Sequence, residues 1–352
     1  MMKSSKQKKL SNEEIASFCR QTAMIVEAGI TPAEGMDIIL QDTLSEEGRA
    51  LLIEIRDSCR IGDHLYQAIE RTGVFPDYVV RLIMLGEESG TTDTVLESLA
   101  EYYEREAEIA YNIRSAISYP LIMIAMMFVI IFVLIVKVLP IFRQVFTQLG
   151  TEMTPFAERL MNIGSAMSRY AIAVTVILAL IVGIAILLFR IRSVRKYLRL
   201  RFSNFPIIHE LYDNIAAGRF ASSMYLAFTS GMDTFHTLEM VRELVENSKM
   251  EKKIDYIKHE ILENSSNMAE AISDAEIFSN LYSRMITVGF RSGNVDVVMK
   301  QIAEAYEGVT ERKLRKMVSI IEPTLVIILS LIVGVILLSV LLPLMGIMSS
   351  IG

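Results

Sequence analysis

Two glutamates framed by glycines, Gly86-Glu87-Glu88-Ser89-Gly90, are the first residues whose types and spacing suggest chemistry. Glu97, Glu101, Glu104 and Glu108 follow at intervals of three and four, which sets them along one side of a helix. Carboxylates grouped in this way can dock a basic partner. Held in a glycine-flanked turn, Glu87 and Glu88 can also offer oxygen ligands to a divalent cation, although no EF-hand pattern accompanies them. The plainer alternative is a solvated helix face. If the face docks a partner, Glu87→Lys or charge reversal at Glu97, Glu101 and Glu104 should weaken binding without unfolding the protein, because surface charge changes seldom alter stability by more than about 0.5 kcal/mol.

Other chemistries find no support in the residues. There is no Gly-Lys dipeptide, and so no GxxxxGK[ST] loop to cradle nucleotide phosphates. GxSxG, HExxH and GxGxxG are likewise missing, and His64, His209, His236 and His259 are scattered. Cys19 and Cys59 are the only cysteines and form no CxxC, which suits buried free thiols in a reducing compartment. No catalytic residue, cofactor or metal is expected, and the chain is read as a non-enzyme.

The elements that must position the acidic residues are partly membrane-embedded. Of the 352 residues, 52% are hydrophobic, and the excess gathers in three runs. Residues 117–139 are apolar except for Lys137, residues 171–189 carry no charge, and none appears from 323 to 352. Each run meets the roughly 20 residues that a helix needs to cross a bilayer. Met1 to Leu10 is basic but leads into Ser11-Asn12-Glu13-Glu14 and not into an apolar core, so a signal peptide is not expected.

Lys and Arg set the orientation. Arg190, Arg192, Arg195, Lys196, Arg199 and Arg201 follow the second run; Arg312, Lys313, Arg315 and Lys316 precede the third; Arg114 precedes the first. The loop between the first two runs holds only Arg143, Arg159 and Arg169. The chain therefore divides into a cytoplasmic helical domain (1–116), a transmembrane helix (117–140), a periplasmic loop (141–170), a second transmembrane helix (171–189), a second cytoplasmic helical domain (190–319), a third transmembrane helix (320–343) and a short periplasmic tail (344–352). The first domain has 12 Lys/Arg against 21 Asp/Glu and the second 19 against 17. Neither balance suggests nucleic-acid binding, and basic residues flush against a span suit anionic lipid headgroups.

The two cytoplasmic domains repeat one pattern. Gly86–Gly90 recurs as Gly289-Phe290-Arg291-Ser292-Gly293, offset by 203 residues. The same offset takes Phe75 to Phe278, Tyr103 to Tyr306, Pro120 to Pro323 and Pro140 to Pro343. Further upstream the offset is 202: Phe18 matches Phe220, Gly29 matches Gly231, and Thr31 is replaced by Asp233. A repeat that carries its membrane segment with it constrains the architecture. Both domains read as all-α. Ser11 with Glu14 forms a capping box ahead of an apolar stripe, and Thr31-Pro32-Ala33-Glu34 is a second helix start. The Gly86–Gly90 segment reads as a tight turn, after which no breaker appears until Pro120. The last cytoplasmic helix of each domain should therefore run straight into a span, with Pro120 and Pro323 one turn inside. Glu322 stands where Tyr119 stands in the first copy and reads as an interfacial carboxylate.

Two helical repeats, each with a GExSG-like turn, followed by apolar runs that open near Ser118-Tyr119-Pro120 and close at Leu-Pro, resemble the inner-membrane platform proteins of type IV pilus and type II secretion systems, the type II secretion F-domain family. The resemblance covers residues 13–352 and is greatest to type IVb members such as those of the bundle-forming pilus. It implies a multi-pass protein of the bacterial inner membrane, with its N-terminus cytoplasmic and its C-terminus periplasmic, that couples a cytoplasmic hexameric ATPase to insertion or extraction of pilins. Implied partners are that ATPase, major and minor pilins, other inner-membrane assembly proteins, membrane lipids and further copies of the chain. Glu87, Glu88, Glu97, Glu101, Glu104 and Arg291 are the candidate partner-contacting residues, and Phe290 and Arg291 depart from the family's acidic turn. An oligomeric transporter or channel is the alternative, weakened by the single repeated span and by the lack of a polar residue at mid-membrane. A receptor, or an enzyme with an unrecognised site, is weakened further by the short far-side loop.

Overall fold

A computed structural model describes residues 9–138 and 206–351, apart from 246, 264 and 265, together with 140, 141, 144 and 148. The expected second span (171–189), most of the 141–170 loop and the basic cluster from Arg190 to Arg201 lie outside these residues. All regular structure among the described residues is helical. In the first half it comprises α1 (Asn12–Glu27), α2 (Pro32–Asp42), α3 (Glu46–Arg60), α4 (Leu65–Thr72), α5 (Asp77–Ser89) and α6 (Thr92–Val133), the last running into a π-helical turn at Leu134–Val138. The second half follows with α7 (Pro206–Thr229), α8 (Thr234–Val245), α9 (Ser248–Glu263), α10 (Met268–Asp274), α11 (Asn280–Ser292) and α12 (Val295–Ile351).

Local signals set most of these boundaries. The Ser11 hydroxyl accepts from the Glu14 backbone N–H, while the Glu14 carboxylate accepts from the Ser11 N–H at 2.7 Å. Thr31 caps α2 with Pro32 at its first position. The Asp233 carboxylate caps α8 by accepting from the N–H groups of Phe235 and His236 at 3.0 and 3.2 Å. Gly90 and Gly293 end α5 and α11 in the left-handed region, at φ 74° and 76°, where a side chain would strain the backbone.

The chain divides into two compact units. One contains residues up to Asn112 together with Glu210–Arg312, and the other holds Ile113–His209 and Lys313–Gly352. In the first unit, α1 to α6 surround a core that includes Ile15, Phe18, Cys19, Leu82, Ile83 and Leu99. Phe220, Met224, Ile272, Ile286, Met299 and Ile302 help to form a second core among α7 to α12. Phe18 packs on Phe75 at 5.1 Å between centroids, and Phe220 on Phe278 at 5.7 Å. Burial pushes the Cys19 thiol up to about 12 and Cys59 up to about 11, leaving both protonated and unreactive at neutral pH.

Gly86 and Gly289 are not turn residues. Both lie inside a helix, α5 or α11, against the start of the next one. A Cβ on Gly86 would meet Val95 Cγ2 at 3.0 Å and Thr92 Cα at 3.2 Å; on Gly289 it would meet Val298 Cγ2 at 3.0 Å and Val295 Cα at 3.2 Å. Backbone cannot yield as a side-chain tip can. Gly86→Ala and Gly289→Ala should therefore each lower stability by about 1 kcal/mol through overpacking. Thermal melting of the full chain checks this; a rise in melting temperature, as helix propensity alone would give, would contradict it.

Among the described residues, two apolar helices are long enough to cross a membrane, the later part of α6 and of α12, and both lie in the second unit. Ile122, Met126, Phe128, Ile327, Leu331 and Leu338 are exposed along them, as lipid-facing residues must be. Both helices pass their expected prolines: Pro120 lies inside α6, and Pro323 and Pro343 inside α12. Pro140 is also helical. The Tyr119 hydroxyl donates to Glu322 Oε1 at 3.0 Å, joining two positions 203 residues apart. Tyr119→Phe should reduce cross-linking between cysteines placed on these two segments, and unchanged cross-linking would show the bond to be dispensable.

Candidate functional site

The acidic residues picked out by sequence fall into three different environments. Glu87 and Glu88 lie in the last turn of α5, which continues to Ser89, so the expected tight turn is corrected to helix. Helix geometry turns Glu87 inward, where its carboxylate accepts from the backbone N–H groups of Leu65 and Tyr66, both at 3.0 Å. These are orphan donors of the α4 N-terminus, and the Glu87 side chain is 15% exposed. The expectation that reversing Glu87 would leave the protein folded is therefore also corrected. Glu88 remains exposed and lines a cleft with Leu85, Ser89 and Thr91, opposite Phe228, Thr229, Ser230 and Gly231.

Glu97 and Glu104, two helical turns apart on α6, share Arg20 of α1. Glu104 receives Nε at 3.0 Å and Nη2 at 2.6 Å, and Glu97 receives Nη1. Glu101 points elsewhere, accepting from Lys300 Nζ of α12 at 2.7 Å. Glu108 is exposed. Arg291 is exposed in the last turn of α11, where its charge suits the helix dipole.

The departure at Phe290 has a structural counterpart. Phe290 occupies the position of Glu87 and stacks edge-on against Phe228 at 5.8 Å, so it offers the α10 N-terminus no acceptor. Asn267 takes over, its Oδ1 accepting from the Glu270 N–H at 2.9 Å. The matching residue of the first half is His64, whose side chain makes no capping bond. The two halves thus satisfy equivalent helix ends by different residues.

Sequence reasoning missed a layer of charges between the halves. Arg219 of α7 grips Glu106 of α6 through two parallel bonds, Nε to Oε1 at 2.7 Å and Nη2 to Oε2 at 2.6 Å. Their side chains are only 15% and 11% exposed. Arg105 Nε lies 3.5 Å from Glu307 Oε2, and Asn112 donates to Glu311 at 3.3 Å. Burial, opposed by Arg105, holds the Glu307 carboxyl above the usual carboxylate range. Tyr102, Arg105, Asn214, Arg219 and Glu307 line a cavity of about 10 Å³, the size of a single water. Glu101–Lys300, Arg105–Glu307 and Asn112–Glu311 link α6 to α12 at sequence separations of 199 to 202. A near-constant separation means that the two helices run parallel here. One local signal was available: the buried stripe Val95, Leu99, Tyr102 reaches Glu106 at the next helical interval.

Helices throughout the described residues, two of them apolar and long enough to cross a membrane, define a membrane-associated helical protein. The family model described as type II secretion system (T2SS), protein F matches residues 18–140 and 220–343. The chain belongs to that family. It is 27% identical to the type IV pilus assembly protein PilC of Thermus thermophilus over 344 residues, covering 97% of this chain and 84% of that protein. Against PilC of Myxococcus xanthus the identity is 25%, covering 97% and 82%. Against the type II secretion system protein F of Xanthomonas campestris it is 22%, covering 99% and 86%.

Proposed function

We propose that this chain is the non-enzymatic inner-membrane platform of a type IV pilus or pseudopilus assembly machine. In this role it couples a cytoplasmic hexameric ATPase to the insertion or extraction of pilins. The observation that carries the reading is that α6 and α12 each begin among the packed helices of the first unit and continue as one helix into an apolar segment. A helix that continues through its proline can still pass a push or a turn along its axis, although a proline is a point where it can bend. Displacement of its cytoplasmic end is passed to its membrane end, where a pilin's own apolar helix would lie. The family and its pilus-assembly relatives support the same reading.

The duplicated matches at 18–140 and 220–343 support two equivalent cytoplasmic helical domains. Each would end in a span, with residues 171–189 returning the chain to the cytoplasmic side. On this topology the exposed acidic groups, Glu88 and Glu108, and the basic Arg291 face the compartment of the ATPase. A clean deletion of the gene is expected to abolish pilus or pseudopilus assembly while leaving pilin synthesis and membrane insertion intact. Normal fibre assembly in the deletion strain would refute the role.

A further inference from the structure

Within the chain, the outer face of α5 is covered by the end of α7 and by α8. Leu226, Ala227 and Met240 belong to the first-half core and not to their own, and Met232 and Leu244 pack against it. Arg81 Nη2 of α5 lies 3.5 Å from Glu243 Oε2 of α8. Glu88 shares its cleft with Thr229.

Both faces have counterparts elsewhere in the chain, at the offsets of the repeat, and there they are uncovered. Tyr78 and Leu85 of α5 are half-buried. Their matches on α11, Leu281 and Val288, are 65% and 63% exposed. Leu226 and Met240 match Met24 and Ile38 on α1 and α2, which are 55% and 45% exposed. One chain therefore carries one satisfied pair of faces and one unsatisfied half of each kind. The Arg81–Glu243 pair maps to Arg284 and Gln41 and is not kept. One complementary pair is gained: Glu88 and Thr229 line one cleft inside the chain, and the corresponding residues are Arg291 and Glu27, of opposite sign and both exposed.

We infer that copies of this chain associate head to tail, with the α11 face of one copy seated on the α1–α2 face of the next, as α5 is seated on α7 and α8 within the chain. The contact is heterologous, so each copy uses one face of each kind, and repetition of the contact gives a ring or an open array. Exposed apolar residues on both sides supply the buried centre, and Arg291 with Glu27 supplies register. The inference rests on the repeat and on the chain's forming homo-oligomers, and it names the surfaces by which it does so.

The test uses the full chain in mild detergent, with mass measured by light scattering. Leu281→Asp/Val288→Asp removes one face and Met24→Asp/Ile38→Asp the other. All four positions are exposed, so the melting temperature should hold. Each variant alone should be monomeric, with association weakened at least about tenfold. An equimolar mixture of the two should form dimers, because each variant keeps the face that the other needs. Arg291→Glu and Glu27→Arg should each weaken assembly, and the chain carrying both should regain it. A monomeric parent protein would overturn the homo-oligomer on which the inference rests. A stable oligomer untouched by either apolar variant, or a mixture that stays monomeric, would overturn the head-to-tail faces while leaving the platform role standing.

Discussion

Glu106→Ala is expected to lower the stability of the first helical unit by about 3 kcal/mol, the larger of the two main effects anticipated here. Breaking a buried ion pair from one side typically costs about 3–5 kcal/mol, because the remaining charge stays desolvated. With 11% and 15% of the two side chains exposed, the lower end of that range applies. The truncated variant takes the bidentate carboxylate away from the Arg219 guanidinium between α6 and α7, in a layer already crowded with Arg105 and Glu307. Glu106→Leu combined with Arg219→Leu should be less harmful than either change alone, since well-packed apolar residues can replace a buried pair at little or no loss. Thermal unfolding of the purified full chain, followed by helical circular dichroism, measures each of these variants. A loss below about 0.5 kcal/mol for Glu106→Ala would place the pair among ordinary surface bridges and contradict its structural role.

Glu87→Ala should cost about 2 kcal/mol for a different reason. It leaves the Leu65 and Tyr66 N–H groups of the α4 N-terminus without their carboxylate, and a lost cap typically costs about 0.5–2 kcal/mol, with unsatisfied donors adding to it. The second half suggests its own remedy. There Phe290 stands at the Glu87 position, and Asn267, at the His64 position, does the capping. Adding His64→Asn to Glu87→Ala should therefore restore about 1 kcal/mol. The same melting series decides the matter. No rescue by His64→Asn, together with no loss in Glu87→Ala, would mean that Glu87 is a surface residue after all and would return it to the docking candidates.

Helix boundaries were legible where the signal was local. Ser11 with Glu14, Thr31 with Pro32, Asp233, and the positive-φ glycines Gly90 and Gly293 mark ends that the structure keeps. The long breaker-free stretches after Gly90 and Gly293 correctly foretold helices that run past Pro120 and Pro323. Gly86 misled, because a glycine inside a helix and a glycine in a turn look the same in sequence. Its purpose, room for Val95 and Thr92, appears only once α5 and α6 cross. The acidic stripe was real as a spacing, but its partners lay far away in sequence. Arg20 is 77 and 84 residues from Glu97 and Glu104, and Lys300 is 199 residues from Glu101. No local pattern fixes such pairings. Arg105, Glu106 and Arg219 were overlooked because charged residues are expected outside, and only the helical register of Glu106 with the buried Tyr102 hinted otherwise.

The exposed remainder of the acidic set is what the proposed role leaves for partners, and the role itself is open to direct test. The measurement closest to the central claim is capture of the detergent-solubilised protein from cells expressing its operon, with bound proteins identified by mass. The platform role predicts recovery of a hexameric secretion-type ATPase and of prepilin. Recovery of neither, with the protein intact and oligomeric, would contradict it and turn attention to substrate flux in proteoliposomes.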